Sequence, residues 1–314
     1  MELVQLEIRL TVILSVFNGM PYLPKAVESI LSQSFADFVF IIVNDGSTDG
    51  SGDYLRSLSD PRILLINQAN EGQGAARNTA LRRCQSEYVA LMDADDISLP
   101  DRFLSQLEYL DAHPDVVMLG TQLEFLVGTV GQRALCVPVG HDDIETRLLK
   151  GRSGLCNSSL MFRTAAAIAC GGYPAGVVGE DIDFCLRMCE QGRAANLGRV
   201  LLQYRLHTAQ TSLARCRELI LATRYVAYRT ICRRKGLPTP TLDSYFLNAS
   251  LISRWRWSIE AWELIQYRTA RIQMASGRTI RGLLRFALLG LCRPFATIGR
   301  IAGTIGTLHR RCTG

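Results

Sequence analysis

Histidine is scarce in this chain, four in 314 residues, and no two cysteines stand in a CxxC pair, so the ligand spacing of a zinc framework is missing. Ten cysteines are too dilute at this length for a disulfide scaffold, and reduced thiols in a cytosolic protein are expected. Glu2, Glu7 and Arg9 interrupt the first stretch, which therefore does not read as a secretion signal. No run approaches the ~20 uncharged apolar residues of a membrane span. Recognisable nucleic-acid reading modules are missing too, so no nucleic acid is expected as partner. What is present is an ordinary globular balance, 48% hydrophobic and 20% charged, which excludes wholesale disorder. The length suits two structural units, or one enlarged α/β domain with an appendage.

Charge divides the chain. Residues 1–210 carry 17 basic and 25 acidic side chains, net −8, whereas residues 211–314 carry 18 and 4, net +14. An acidic body followed by a basic helical region is the expected organisation. The basic part calls for a polyanionic partner and, with nucleic acid set aside, an anionic membrane surface is the expectation.

Within the body, Arg9–Val16, Phe38–Val43, Arg62–Ile66 and Glu87–Met92 are short, nearly continuous apolar runs, as parallel strands covered on both faces should be. Tyr22–Ser34, Asp49–Leu58, Gly74–Cys84 and Pro100–Ala112 have helical spacing, with Ser, Asp or Pro near their starts. This alternation predicts βαβ units and a mostly parallel sheet. Beyond residue 115 the pattern loosens. Strands are expected near Val116–Gly120, Ser158–Phe162 and Val200–Arg205, and helices near Asp142–Lys150 and Asp181–Glu190.

Ligands of such sheets sit beyond the carboxyl ends of the strands. The fourth run ends in Asp93-Ala94-Asp95-Asp96. Three carboxylates in four residues repel one another unless a cation is present, and Mg2+ or Mn2+ held with phosphate oxygens is the natural occupant. The alternative is a solvated acidic turn with Asp96 capping the next helix. After the second run comes Asn44-Asp45-Gly46-Ser47-Thr48-Asp49. Ser47 or Asp49 can cap the helix that follows, which leaves Asp45 to accept hydrogen bonds from a base or ribose. Gly72-Gln73-Gly74-Ala75-Ala76-Arg77 resembles a truncated dinucleotide fingerprint, but it follows the third strand and has Arg77 where the last glycine belongs, so dinucleotide binding is rejected. Arg77 either faces a diphosphate from the helix start or makes a surface ion pair. Glu180-Asp181-Ile182-Asp183 follows a glycine-rich loop that reads as a mobile flap. These acids are either helix-dipole partners or include a general base. His207 is a surface residue unless a metal site lies beside it.

Seven segments in order resemble the family 2 nucleotide-sugar glycosyltransferases with the GT-A fold: SVFNGMPYLPKAVESILSQSF, VNDGSTDGS, NEGQGAARNTAL, YVALMDADDISLP, NSSLMFRTAAAIACGGYP, GEDIDFCLRM and YRLH, over about residues 9–212. The resemblance implies an α/β fold of GT-A type, a mostly parallel Rossmann-like sheet flanked by helices. It divides residues 1–210 into a nucleotide-sugar half of about 1–115 and an acceptor half of about 116–210. It implies an inverting glycosyltransferase that moves a sugar from a nucleotide diphosphate, by default a uridine diphosphate sugar, to a hydroxyl of a glycan or lipid-linked acceptor, as in cell-surface polysaccharide synthesis. Carried over residue by residue, it makes Asp45 a contact of the base and Asp93 of the ribose or sugar. Asp95, in the DxD motif, becomes the ligand of Mg2+ or Mn2+. Asp181 becomes the catalytic base, supported by Glu180, and His207 reaches the metal or diphosphate. Asn18 and Arg77 line the nucleotide site. Asp96 has no settled role: it binds acceptor or orients Asp95.

Residues 211–314 lie mostly outside the resemblance. Trp255, Trp257 and Trp262 fall within nine residues among arginines, and Arg278, Arg285, Arg293 and Arg300 recur at seven- or eight-residue intervals, on one helical stripe. Leu283, Leu284, Phe286, Leu288, Leu289, Leu291, Phe295, Ile298 and Ile301 lie between them. A cationic stripe beside a broad apolar face is the pattern of a helix lying in the membrane interface. Packing on the body or on a second chain is the alternative. A cytoplasmic enzyme, peripheral on the cytoplasmic face of the membrane, is the expectation. Two other function classes stay open. A sugar-nucleotide nucleotidyltransferase would need a glycine-rich loop after the first strand, where Ser15–Pro21 has only Gly19. A catalytically silent carbohydrate-binding scaffold would have had no reason to keep both the DxD aspartates and Glu180-Asp181.

Overall fold

The computed structural model describes residues 8–292 except 129, 175, 209 and 277. The chain alternates as the apolar runs dictate: β1 (Leu10–Val16), α1 (Leu23–Leu31), β2 (Phe38–Asp45), α2 (Ser51–Arg56), β3 (Ile63–Gln68), α3 (Gln73–Leu81) and β4 (Tyr88–Asp93). β1 is buried along its whole length, β2 and β4 nearly so. All pairings among these four strands are parallel. The register runs to Val16↔Asn44 between β1 and β2, to Asp45↔Gln68 between β2 and β3, and to Ser15↔Asp93 between β1 and β4. Every candidate turn of the first half is therefore delivered to one edge of the sheet.

The chain continues through β5 (Ile97–Ser98), α4 (Arg102–Ala112), β6 (Val116–Val127), β7 (Val130–Leu135), α5 (His141–Leu148), β8 (Met161–Arg163), α6 (Thr164–Ala169), α7 (Glu180–Met188) and β9 (Arg193–Arg205). Strand order is β3-β2-β1-β4-β8-β6-β9-β5, with β7 paired to β6. β8 is antiparallel to both β4 and β6, and β5 to β9. The expected strand at Ser158–Phe162 begins later. Its first residues form a 3-10 turn, Asn157–Ser159, in which Ser158 Oγ accepts from Asp93 N at 3.1 Å and Ser159 Oγ donates to Cys156 O at 2.8 Å. Serine hydroxyls bonding locally compete with the ladder. β6 and β9, at 12 and 13 residues, run past the expected ranges. Ile13, Ile41, Val43 and Leu91 of the central strands, Ala76 and Ala80 of α3, and Phe184 and Leu186 of α7 share one buried cluster.

The described residues form two compact units. The first comprises the chain up to Glu124, Ala134–Tyr204 and Ala222–Pro240, and the second Phe125–Arg133, Arg205–Leu221 and the chain from Thr241 onward. The C-terminal region is helical, with α8 (Thr211–Ala214), α9 (Cys216–Arg234), α10 (Leu242–Asn248), α11 (Leu251–Ala275) and α12 (Thr279–Cys292). Thr241 and Ser250 cap α10 and α11, their hydroxyls accepting from Ser244 N and Ser253 N, both at 3.2 Å. α12 packs on α11 through Tyr267 and Phe286, edge to face at 5.8 Å. Among the described residues no helix is long and apolar enough to cross a membrane. The eight described cysteines are free thiols.

Candidate active site

At the shared strand edge, Asn18 takes a left-handed backbone conformation (φ 55°), which asparagine tolerates better than most residues. Its Oδ1 accepts from Thr48 N at 2.8 Å, and its own N–H donates to Ser47 Oγ at 3.0 Å, so the loops after β1 and β2 are fastened together. Met20 N donates to Asp49 Oδ2 at 2.8 Å in the same seam. Asp45, 2% exposed, closes β2. Its Oδ1 accepts from Gln68 Nε2 at 2.8 Å and Glu71 N at 3.0 Å, and its Oδ2 from Gly72 N at 2.9 Å. A carboxylate has about four acceptor sites. Three are spent on shaping the loop before α3.

α3 is the spine of the site. Arg77, on its second turn, is 3% exposed, so the surface ion pair among its expected readings does not form. It donates to Asp93 Oδ1 at 3.0 Å, its other terminal nitrogen lies 3.7 Å from Glu180 Oε1, and the guanidinium stands 5.3 Å over the Tyr173 ring. Gln73 Nε2 also donates to Asp93 Oδ1, at 3.1 Å. One arginine thus joins the turn after β4 to the first turn of α7. Gly74 permits this closeness, since a Cβ there would lie 3.2 Å from Glu180 Cγ. Burial raises the Asp93 carboxyl above the usual range; Arg77 pulls it back, and Asp95 and Asp181 push it up again. Burial likewise raises Glu180, with Asp181 adding to the rise and Arg77 opposing it. Asp181 Oδ1 accepts from Ile182 N at 2.8 Å, at the start of α7.

Asp93 is acted on by Asp95 and Asp181, and Glu180 by Asp181 and Asp93, with Arg77 opposing both, a gathering of negative charge that suits a hard divalent cation. Among the described residues no three His, Cys, Asp or Glu side chains form a complete metal cage. A Mg2+ or Mn2+ ion held at Asp95 would need oxygen ligands other than protein side chains, which is the habit of Mg2+. Asp95 itself is half-buried. Asp96 turns the other way. It is 0% exposed, and its charge acts on the fully buried Arg102, whose guanidinium donates to Leu91 O at 2.7 Å and Ser158 O at 2.8 Å. Burial pulls Arg102 down to about 9, against the opposing effect of Cys156, Asp96 and Asp93. Asp96 is thus neither the solvated helix cap nor an exposed acceptor ligand. His207 follows the end of β9, half-buried, in the second compact unit.

The residue-level reading missed Gln73, Ser158, Tyr173 and Arg102. Gln73, Ser158 and Tyr173 lie inside the motif segments, but nothing in their spacing marks them as partners of Asp93 and Arg77. The glycine-rich loop expected to be a flap is pinned near its start. Tyr173 N donates to Asn78 Oδ1 and Asn78 Nδ2 to Tyr173 O, both at 2.8 Å, and Arg187 donates to Gly172 O at 2.7 Å.

Residues 11–169 match the sequence pattern described as glycosyl transferase family 2. The amylovoran biosynthesis glycosyltransferase AmsE of Erwinia amylovora is 30% identical over 58% of this chain and 70% of its own length. Among solved structures, S. aureus TarS 1-349 in complex with UDP-GlcNAc superposes with a TM-score of 0.56 at 16% identity, covering 91% of this chain and 92% of the other. The mannosyltransferase PcManGT from Pyrobaculum calidifontis, in complex with GDP-Man and Mn2+, gives 0.56 at 17% identity, covering 95% and 80%. At these identities the likeness is one of fold.

Proposed function

The chain belongs to glycosyl transferase family 2; on that premise we propose that it moves a sugar from a nucleotide diphosphate to a hydroxyl of a glycan or lipid-linked acceptor, inverting the anomeric centre. The Asp93–Arg77–Glu180 bridge carries the reading, because it joins the two acidic turns in one charged site. Asn18, Asp45, Arg77 and Asp93 hold the nucleotide sugar, Asp45 toward the base and Asp93 toward the ribose or sugar. Asp95 would hold Mg2+ or Mn2+, which when bound would neutralise charge on the departing diphosphate. Asp181 takes the acceptor hydroxyl's proton on the face opposite the leaving group, as the anomeric carbon passes through an oxocarbenium-like state. Glu180, tethered toward Arg77, keeps Asp181's turn in place. A uridine diphosphate sugar is the default donor. The UDP-GlcNAc held by one structural neighbour supports it, and the Mn2+ held by another supports the metal. A relative named for amylovoran biosynthesis supports a role in polysaccharide synthesis.

The test is a panel of sugar nucleotides that includes UDP-N-acetylglucosamine and GDP-mannose, each with Mn2+ or with chelator. At least one is expected to raise the melting temperature only when the metal is present, because a ligand that binds the folded state stabilises it by mass action. No shift with any member would overturn the reading.

Residues 211–314 form the basic C-terminal region, and we assign it to the cytoplasmic face of an anionic membrane. Part of its charge is spent inside the first unit, where Arg229 pairs with Asp183, Arg233 with Glu190, and Arg234 with Glu145 and Glu190. The expected arginine stripe is corrected too. Arg285 turns toward α11, bonding Gln266 and, at 3.2 Å, Gln273 Oε1, while Arg293 and Arg300, with Phe295, Ile298 and Ile301, lie outside the described residues. α12 instead presents Ile280, Leu284, Leu288 and Leu291 to solvent, from 44% to 82% exposed, beside exposed Arg278 and Arg281 and with no acidic residue on the helix. An apolar strip with a basic rim fits anionic lipid, at about 1 kcal/mol per basic residue near the surface. The full chain is expected to sediment with phosphatidylserine vesicles, and Leu284→Glu with Leu288→Glu to abolish this. Equal sedimentation of the double variant would refute the assignment.

A further inference from the structure

We infer that Arg229, on α9 and outside the segments that mark the family, is a positioning residue for the turn that carries Glu180 and Asp181. The inference rests on the reading of Asp181 as the base. α7 offers its acids on two sides: at 100° per residue, Asp181 and Asp183 point about 200° apart around the helix axis. Asp183 is buried on the side away from Asp181, and both of its oxygens are taken. Arg187 Nε donates to Oδ2 at 2.7 Å and Arg229 to Oδ1. Arg187 extends the chain of contacts to the carbonyls of Cys170 and Gly172, at the start of the glycine-rich loop. α9 approaches from the other side. Thr223 Oγ1 donates to Gly151 O at 3.1 Å, and Thr223 stands so near the residue before Glu180 that a Cβ on Gly179 would lie 3.3 Å from its Cγ2. Arg229 therefore fixes how far α7 is rotated about its own axis, and rotation is the coordinate that aims Asp181. A buried carboxylate with one of two cationic partners removed is strongly disfavoured unless the helix shifts toward water.

The test uses the full chain and four variants, Arg229→Gln, Arg229→Lys, Arg233→Gln and Asp181→Asn. Arg233 is the control, because it pairs with Glu190, past the opposite end of α7. In amide hydrogen exchange without ligand, Arg229→Gln is expected to speed exchange at Asp183 and Phe184 by roughly tenfold or more, with Arg229→Lys intermediate and Arg233→Gln silent there. In nucleotide release from UDP-N-acetylglucosamine or GDP-mannose with Mn2+, Arg229→Gln is expected to lower kcat by about tenfold to a hundredfold, the usual cost of misplacing a reacting group by ~1 Å. Donor KM should stay within about twofold, because Asp45, Arg77 and Asp93 lie on other elements. Unchanged exchange at the start of α7, or an equal effect from Arg233→Gln, overturns the inference, and the exchange result decides it even where neither donor is turned over. Near-normal turnover by Asp181→Asn would instead sink the base assignment and leave the exchange result standing.

Discussion

Asp181→Asn is expected to lower turnover by ~10²–10⁴-fold, the usual worth of a positioned proton transfer, and to leave donor affinity within about twofold. The substitution suits the question because it is nearly isosteric. The Asp181 oxygen that accepts from Ile182 N at 2.8 Å can be replaced by the amide oxygen, so the start of α7 keeps that bond. What is lost is the basic oxygen and one negative charge at a helix N-terminus, where a carboxylate contributes only about 0.3–1 kcal/mol. Folding should hardly change. Removing Asp181's charge also relieves Glu180 and Asp93, both of which it pushes up, so any change in melting temperature should be small or upward. Single-turnover rates, with donor affinity measured separately by calorimetry, separate chemistry from binding. Turnover near the wild-type rate would remove Asp181 from the reaction.

The strand edge was legible in the sequence because buried parallel strands must be nearly continuous apolar runs. β1, β2 and β4 are such runs, and parallel pairing alone sets their polar ends on one edge. The acidic turns at Asp93 and Glu180 were legible as chemistry for the complementary reason, that clustered carboxylates demand an explanation. The link between them was not. Arg77 sits in a segment whose glycines imitate a phosphate loop, and the use of Gly74, to let α3 approach Glu180, depends on an element more than a hundred residues later. Long-range pairs leave no periodicity. Arg102 and Arg229 were invisible for the same reason, since a buried arginine and a surface arginine are one letter. Arg285 shows the converse error, for recurrence at helical intervals gives the face of a helix but not whether that face looks toward water or toward α11.

Asp95→Ala is expected to abolish the advantage that Mn2+ gives to donor binding, bringing the ratio of Kd without and with metal from tenfold or more to about one. Without a cation, a diphosphate approaching this edge meets the carboxylates of Asp93, Asp95, Glu180 and Asp181 beside the cation of Arg77, so metal-free binding should be weak in the wild-type protein. Deleting Asp95 removes one of those charges. Metal-free affinity should therefore hold or rise slightly, while affinity in Mn2+ falls by at least tenfold, about 1.4 kcal/mol. That opposite movement separates a lost metal ligand from general damage, which would weaken binding under both conditions. Asp96→Ala is the matching control: its carboxylate is buried in the field of Arg102 beneath the same turn, so its loss should lower the melting temperature and leave the Mn2+ ratio unchanged. Calorimetric titration of the donor into each variant, with Mn2+ and then with chelator, reads both quantities. If Asp95→Ala still bound donor tenfold more tightly with Mn2+, the cation would have to be held elsewhere, and Asp95 would be only one more acid at the mouth of β4.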